Sequence, residues 1–285
     1  MNGLNEIRKK IELGPGLKLM EIAAPEIAAK GQPGQFIILR TDDCGERIPL
    51  TIADLNPEAG LVTIIFQEVG RSTLDLGMME EGDRILDFVG PLGRASEIEN
   101  FGHVVCIGGG VGIAPVYPIT RALHQAGNNV TSIIGARTGD ALILQDEMKA
   151  VSNELLMVTD DGSAGAKGFV TDPLRSILQR DSVQRVVAIG PLAMMKAVSE
   201  LTREYGVPTI VSLNPVMVDG TGMCGACRVE VGGKTKFACV DGPEFDGHQV
   251  DWLLASQRAT MFAAQEKQAM ETRGGGCQCQ TNHKK

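Results

Sequence analysis

The chain has 285 residues, with 27 basic against 35 acidic side chains and a formal net charge of −8. At 43 % apolar and 22 % charged its composition is ordinary for a globular protein, and its length suits about two domains with cores of their own. The acidic balance argues against nucleic acid and anionic membrane as main partners, no apolar run reaches the ~18 residues of a spanning helix, and the opening MNGLNEIRKK lacks the apolar stretch of a secretory leader, so a cytoplasmic protein is expected.

In chain order, LKLMEIAA, QFIILRT, LVTIIFQEV and RILDFVG are short apolar or alternating runs bounded by Gly, Pro or Asp. No long helical period interrupts them before Ser72–Gly77, so residues 1–99 are expected to form a small antiparallel β-barrel. Near Phe101 the pattern changes to alternating strand and helix signals. HVVCIGG leads into a helix over Ile113–Gln125, NVTSIIGA into one over Leu144–Val151, and ELLMVTD into one opened by Thr171 or Asp172 with Pro173 in its first turn. RVVAIG leads into a helix from Leu192 to about Tyr205, and PTIVSL closes the series. Residues 100–213 therefore read as an α/β domain with a doubly wound parallel sheet. From residue 214 to 272 the chain turns Gly-rich, forms a hairpin at RVEV-GG-KTKFAC, and ends in an apolar stripe of helical spacing from Gln249 to about Thr272. The last segment, 273–285, is expected to be a disordered tail.

Three of the seven cysteines crowd into this third segment. Asp219, Cys224, Cys227 and Cys239 are separated by four, two and eleven residues. Plant-type [2Fe–2S] proteins use the four-then-two spacing with a distant fourth ligand; here Asp holds the first position. Two ferric ions need anionic donors, and thiolates supply both charge and covalency. Gly220, Gly222 and Gly225 let the loop wrap a cluster and aim N–H groups at sulfur. A carboxylate is a harder donor that shifts the redox potential. A structural zinc site of three Cys and one Asp fits the same residues, and spacing alone leaves both open.

A second constellation is CIGGGVGIAP, from Cys106 to Pro115, which ends a strand and opens a helix. Gly108, Gly109, Gly110 and Gly112 permit close backbone approach, and the helix start offers free N–H groups and a positive dipole end to a pyrophosphate. No phase of these glycines gives a strict G-x-G-x-x-G, and a tight strand–helix turn is the plain alternative. The end of the second strand carries Arg137 and no acid, so spacing does not choose between NAD and NADP. In the barrel, Arg47–Ile52 and Gly70–Thr73 combine polar residues with Gly. Arg47 is able to counter a phosphate, Thr51 to donate to a ring edge, and Gly70–Thr73 to cradle a pyrophosphate; on spacing alone each is also an ordinary surface or turn residue.

Taken together, the barrel, RIPLT, GGGVGIAP, the late Gly190-Pro191 and the cysteine loop resemble the ferredoxin–NADP reductase superfamily over nearly the whole chain. The stretch SLNPVMVDGTGMCGACRVEVGGKTKFACVDGPEFDGHQVDW is similar to the cluster segment of its electron-transfer subunits, both the dihydroorotate dehydrogenase type and, closer, the small subunits of NADH-dependent reduced ferredoxin:NADP oxidoreductases, also known as sulfide dehydrogenase β subunits. Asp219 in place of Cys marks the second type. The resemblance implies FAD on Arg47, Pro49, Leu50, Thr51 and Ile52, with Pro49 standing where the superfamily usually has Tyr, and on Gly70, Ser72 and Thr73. It implies NAD(H) on Gly108, Gly109, Gly110, Gly112, Pro115, Arg137, Gly190 and Pro191, and a [2Fe–2S] cluster on Asp219, Cys224, Cys227 and Cys239. It implies an oxidoreductase subunit in a heterodimer: hydride passes from NADH to flavin N5, and single electrons pass through the cluster. The partner is then a larger iron–sulfur flavoprotein subunit that handles ferredoxin and NADP(H). No side chain is required as acid or base. A dihydroorotate-linked subunit, a sulfur-reducing flavoprotein and a zinc-stabilised module without redox activity are the alternatives.

Overall fold

The computed structural model describes residues 3–271. The first module contains β1 (Ile7–Gly14), β2 (Leu17–Ala23), α1 (Pro25–Lys30), β3 (Phe36–Arg40), β4 (Ile48–Asn56), β5 (Leu61–Gln67), α2 (Arg71–Met78) and β6 (Asp87–Leu92). Its sheet runs β1-β2-β5-β4-β3-β6, antiparallel throughout. The two edges meet: Ile7 N–H donates to Asp83 O at 2.9 Å and Ile85 N–H to Asn5 O at 3.0 Å, beside a Glu6–Arg84 bridge. Strand alternation explains the filling. Val62, Ile64 and Phe66 of β5 point into the barrel with Met20, Ile22, Ile37 and Leu39, while Ile65 lies on the opposite face among residues of the second module.

The second module contains β7 (His103–Gly109), α3 (Ile113–Gln125), β8 (Asn129–Ala136), α4 (Gln145–Ala150), β9 (Glu154–Thr159), β10 (Ala166–Lys167), α5 (Thr171–Arg180), β11 (Arg185–Ile189), α6 (Leu192–Glu204) and β12 (Thr209–Ser212). The third contains β13 (Arg228–Val231), β14 (Lys234–Phe237), α7 (Ala238–Asp241), β15 (Glu244–Asp246), α8 (Trp252–Ala259) and α9 (Ala263–Glu271). The second sheet runs β10-β9-β8-β7-β11-β12-β15, parallel except that β15 is antiparallel to β12. The third module thus supplies an edge strand to the second. β7, β8 and β11 are near-continuous apolar runs because helices cover both faces of a parallel sheet.

The structure departs from the sequence reading at several elements. β1, α1, β4 and β10 are elements the pattern did not reveal, β15 joins the parallel sheet, and the stripe expected from Gln249 to about Thr272 is two helices broken at Thr260–Phe262. Trp252 anchors the first of these helices, with its ring buried and its indole N–H donating to Gly247 O at 3.1 Å. The segment expected to be a disordered tail, with Cys277 and Cys279, lies outside the described residues. Among the described residues no helix is long and apolar enough to cross a membrane.

Candidate redox site

The order of the parallel sheet reverses between β7 and β11, and the loops after these two strands carry the glycines singled out above. They meet backbone to backbone. A Cβ on Gly112 would lie 2.4 Å from Ile189 O and 2.7 Å from Gly190 Cα; one on Gly109 would lie 2.3 Å from Met194 Sδ and 3.1 Å from Pro191 Cδ. A Cβ on Gly108 would lie 2.8 Å from Ile113 Cα. Gly108 and Gly112 are therefore required by the backbone packing of the turn itself, while a Cβ on Gly109 would press on the movable end of Met194. Gly110 differs: its φ is +56°, and a Cβ there would meet nothing within 4 Å. No side chain caps α3 or the short 3₁₀ turn Gly110–Gly112 before it. Pro115 occupies the first turn of α3, where its missing N–H costs no intrahelical bond. Arg137 is exposed just beyond the end of β8. The carboxyl ends of β7 and β11, at the reversal point, are where doubly wound sheets receive nucleotides.

On the barrel, Arg47 immediately precedes β4, which carries residues 48–52 of the strip and pairs with β3 in the register Ile38↔Pro49, Ile37↔Leu50 and Phe36↔Thr51. Pro49 lacks an N–H to donate to this ladder. Arg47 Nη2 lies 3.8 Å from Asp87 Oδ2, and Arg40 Nε lies 2.8 Å from the same oxygen. The 70–73 turn begins α2. Thr73 Oγ1 accepts from Val69 N–H at 3.1 Å and Gly70 N–H at 3.0 Å, and donates to Gly70 O at 2.9 Å, so its hydroxyl serves the turn. Ser72 Oγ reaches Glu46 Oε2 at 3.4 Å, which joins the two barrel segments.

In the cysteine loop, Cys227 Sγ and Cys239 Sγ lie 3.2 Å apart and are buried, and Cys239 N–H points at Cys227 Sγ at 3.5 Å. Burial, then the neighbouring Cys227, pushes the Cys239 thiol upward. Gly220, Gly222 and Gly225 all have positive φ, as a wrapping loop requires. Asp219 turns back on the loop: its carboxylate accepts from Thr221 N–H and Cys224 N–H, each at 2.9 Å. The Thr221 bond first, and the Cys224 bond with it, hold this carboxyl below its ordinary range. Cys224 is exposed. Among the described residues no three or more His, Cys, Asp or Glu donors converge as a finished metal set. The spacing thus brings Cys227 and Cys239 together and leaves Asp219 and Cys224 on the loop above them. The donor chemistry fits a thiolate-held centre. Arg258 on α8 donates to Ala226 O at 2.7 Å, and its buried Nε has no partner beside the loop.

The loop also rests on the barrel. A Cβ on Gly220 would lie 2.7 Å from Leu92 Cδ1 and 2.9 Å from Ile38 Cδ1. Arg94, just past the barrel, donates from its backbone to Gly242 O at 2.7 Å and from Nε to Val240 O at 3.1 Å. Sequence reasoning missed this seam, and it missed Asp54 and Arg121, whose side chains join β4 to α3. Both are ordinary charged residues with no motif around them, and only the fold brings them together.

Comparison with known proteins adds the following. Residues 214–251 match the family model for the iron-sulfur cluster binding domain of dihydroorotate dehydrogenase B, and residues 106–200 match that for the oxidoreductase NAD-binding domain. The chain is 52 % identical over 268 residues to a dihydroorotate dehydrogenase B (NAD(+)) electron transfer subunit homolog of Thermotoga maritima, covering 94 % of this chain and 95 % of that one. It is 34 % identical to a probable dihydroorotate dehydrogenase B (NAD(+)) electron transfer subunit of Methanopyrus kandleri, over 78 % of this chain and 81 % of that one. A chain of the solved NADH-dependent reduced ferredoxin-NADP oxidoreductase, described in terms of flavin-based electron bifurcation, superposes with a TM-score of 0.90 at 51 % identity, covering 95 % of this chain and 99 % of that one. Phthalate dioxygenase reductase, at 18 % identity and a TM-score of 0.59, shares the fold.

Proposed function

The chain belongs to the family of dihydroorotate dehydrogenase B electron-transfer subunits and their homologues, and from that premise we propose that it is the NADH-linked subunit of a cytoplasmic two-subunit oxidoreductase of the NADH-dependent ferredoxin:NADP type. Its cofactors are FAD, NAD(H) and an iron–sulfur cluster. When bound, the flavin exchanges an electron pair with the nucleotide and single electrons with the cluster.

The chain's own residues orient and insulate these groups. Arg47, Pro49, Leu50, Thr51 and Ile52 with Gly70, Ser72 and Thr73 would hold the flavin against β4 and the start of α2. The backbone of Gly108–Gly112, with Pro115, Gly190, Pro191 and Arg137, would hold the nucleotide at the sheet's reversal point. Cys224, Cys227, Cys239 and Asp219 would hold a [2Fe–2S] cluster, and Arg258, bound to Ala226 O of the loop with its buried Nε unpartnered, would place a cation beside that anionic group. No residue needs to act as acid or base.

One observation supports the reading most strongly: the elements that carry the three strips pack on one another. The cysteine loop packs on the barrel through Gly220, and α3, which begins at the nucleotide loop, packs on β4 and β5. A partner subunit follows from the family. The cysteine loop carries exposed apolar side chains, with Met223 89 % exposed, Val216 and Val218 near it in sequence and Val240 against Gly222, a rim suited to docking a larger iron–sulfur flavoprotein that handles ferredoxin and NADP(H). A dihydroorotate-oxidising partner is the second reading, favoured by the relatives' names; Asp219 at the first ligand position counts against it.

The test is cofactor content and partner capture from the native source. One FAD, two irons and two sulfides per chain, co-purifying with an iron–sulfur flavoprotein, support the proposal. A colourless zinc protein would end it, and an FMN-containing dihydroorotate enzyme as partner would replace it with the second reading.

A further inference from the structure

Two strips proposed to bind different groups sit on two elements, β4 and α3, and one ion pair ties those elements together. Arg121 Nη2 lies 2.6 Å from Asp54 Oδ1 and Nη1 lies 3.2 Å from Oδ2, a two-pronged fork. Both ends are themselves held. Asp54 Oδ1 also accepts from Leu55 N–H at 2.8 Å, and the guanidinium lies 5.1 Å above the ring centroid of Tyr117, one turn earlier on α3.

Asp54 reaches α3 because β4 is irregular. Ile52 pairs with Ile64 and Asp54 with Thr63, so two steps on β4 match one on β5. Ile52 and Leu55, three apart, both pack into the barrel core, which a regular strand cannot achieve. The bulge turns Ala53 toward the core shared with α3, and Asp54 toward Arg121. The remaining contact there is apolar, made by Leu17, Ala53 and Ile65 with Ile113, Val116 and Ile119. Apolar burial is non-directional and leaves sliding and tilting nearly free. A planar guanidinium forked on a carboxylate fixes both.

We propose that the Asp54–Arg121 pair is the positioning latch that sets the approach of the nucleotide loop to the flavin strip. The proposal rests on the cofactor reading above. Asp54 follows Thr51 by three residues on β4, and Arg121 lies nine residues beyond Gly112, about 13 Å along α3 and one turn past Pro118. A slip at the latch is therefore carried along α3 to the loop at its start. Hydride transfer requires the reacting atoms at about 3–3.5 Å, and a misplacement of about 1 Å costs up to ~100-fold. The latch acts on geometry and touches neither group.

The experiment uses flavin-loaded full-length protein carrying R121Q, R121K, D54N or the exchanged pair D54R/R121D. For R121Q and D54N, the Kd for NADH should stay within about twofold of wild type, while flavin reduction by NADH in stopped flow falls about 10- to 100-fold. The long-wavelength charge-transfer absorbance formed on mixing should fall by more than half. R121K, which keeps charge without the fork, should lie between, and the exchanged pair should regain about tenfold in rate over R121Q. Wild-type rate and absorbance in R121Q, or in R121K and D54N should R121Q not fold, would overturn the latch alone. A wild-type protein that binds FAD but is not reduced by NADH would overturn the cofactor reading and the latch with it.

Discussion

Gly112→Ala tests the packing at the sheet's reversal point. The residue has φ −64° and ψ −10°, so alanine meets no backbone strain. The obstacle is contact. The new Cβ would lie 2.4 Å from Ile189 O, 2.7 Å from Gly190 Cα and 2.8 Å from Ile189 C, all backbone atoms of the neighbouring strand and loop. Reaching an ordinary separation of about 3.4 Å requires the two loops to part by about 1 Å, and no side chain is free to rotate away. Overpacking of this kind costs about 3 kcal/mol, at the upper end of its usual range because backbone must move. At 2–4 °C per kcal/mol the melting temperature should fall by about 6–12 °C. NADH affinity should fall with it, since the parted loops form the proposed nucleotide site. Gly110→Ala is the contrast. Its Cβ meets nothing within 4 Å, so only the positive φ opposes it, at about 1–2 kcal/mol. Its methyl points into open space, so it should weaken NADH binding with a smaller loss of melting temperature. Thermal unfolding and NADH titration of both variants check this. Melting of Gly112→Ala within a degree of wild type, or Gly110→Ala as the more damaging of the two, would refute the reasoning.

Three further outcomes are expected. Cys227→Ser and Cys239→Ser should each lose most bound iron and visible absorbance, whereas Cys106→Ala should keep both, because Cys106 is buried in β7 and serves packing; iron analysis decides. In metal-free protein, Cys224 should alkylate rapidly with iodoacetamide and become protected on cluster loading, while Cys106, whose thiol burial pushes up to about 12, should resist until unfolding; peptide mass mapping reads both. Glu244, which accepts from Ser96 Oγ at 2.6 Å, has its carboxyl raised above its ordinary 4.5 by burial, against the lowering effects of Ser96 and Arg185. The folded state therefore holds the proton more tightly than the unfolded one, and stability contributed by Glu244 falls as pH rises from 4.5 through the raised value. Urea midpoints should show that decline in wild type and lose it in Glu244→Gln, with the variant more stable than wild type at neutral pH.

The legible parts of the sequence were those where one local rule dominates. The helix over Ile113–Gln125 lies between a glycine cluster and Gly127 and carries a clean apolar stripe, and its bounds agree with the structure. The Cys227–Cys239 pair was legible because ligand spacing is a local property of a loop and hairpin. β4 was not legible: half of it is partly exposed on both faces, Pro49 interrupts it, and the bulge breaks its alternation. β15 has three residues, too few for a pattern, and becomes a strand because β12 leaves an edge for it. The Asp54–Arg121 fork spans 67 positions and exists only once barrel and sheet are packed. The glycines of the nucleotide loop were legible as a turn, but the division between Gly110 and its three packed neighbours needed coordinates.

The central claim is that electrons travel from a dinucleotide through a flavin to a cluster within one chain. Anaerobic titration of the purified, cofactor-loaded protein with NADH tests it, with flavin absorbance and the electron paramagnetic resonance of the cluster followed together. The account predicts that NADH bleaches the flavin and brings up a reduced [2Fe–2S] signal in the absence of any partner. Flavin and iron present in full, yet both still oxidised at excess NADH, would contradict it.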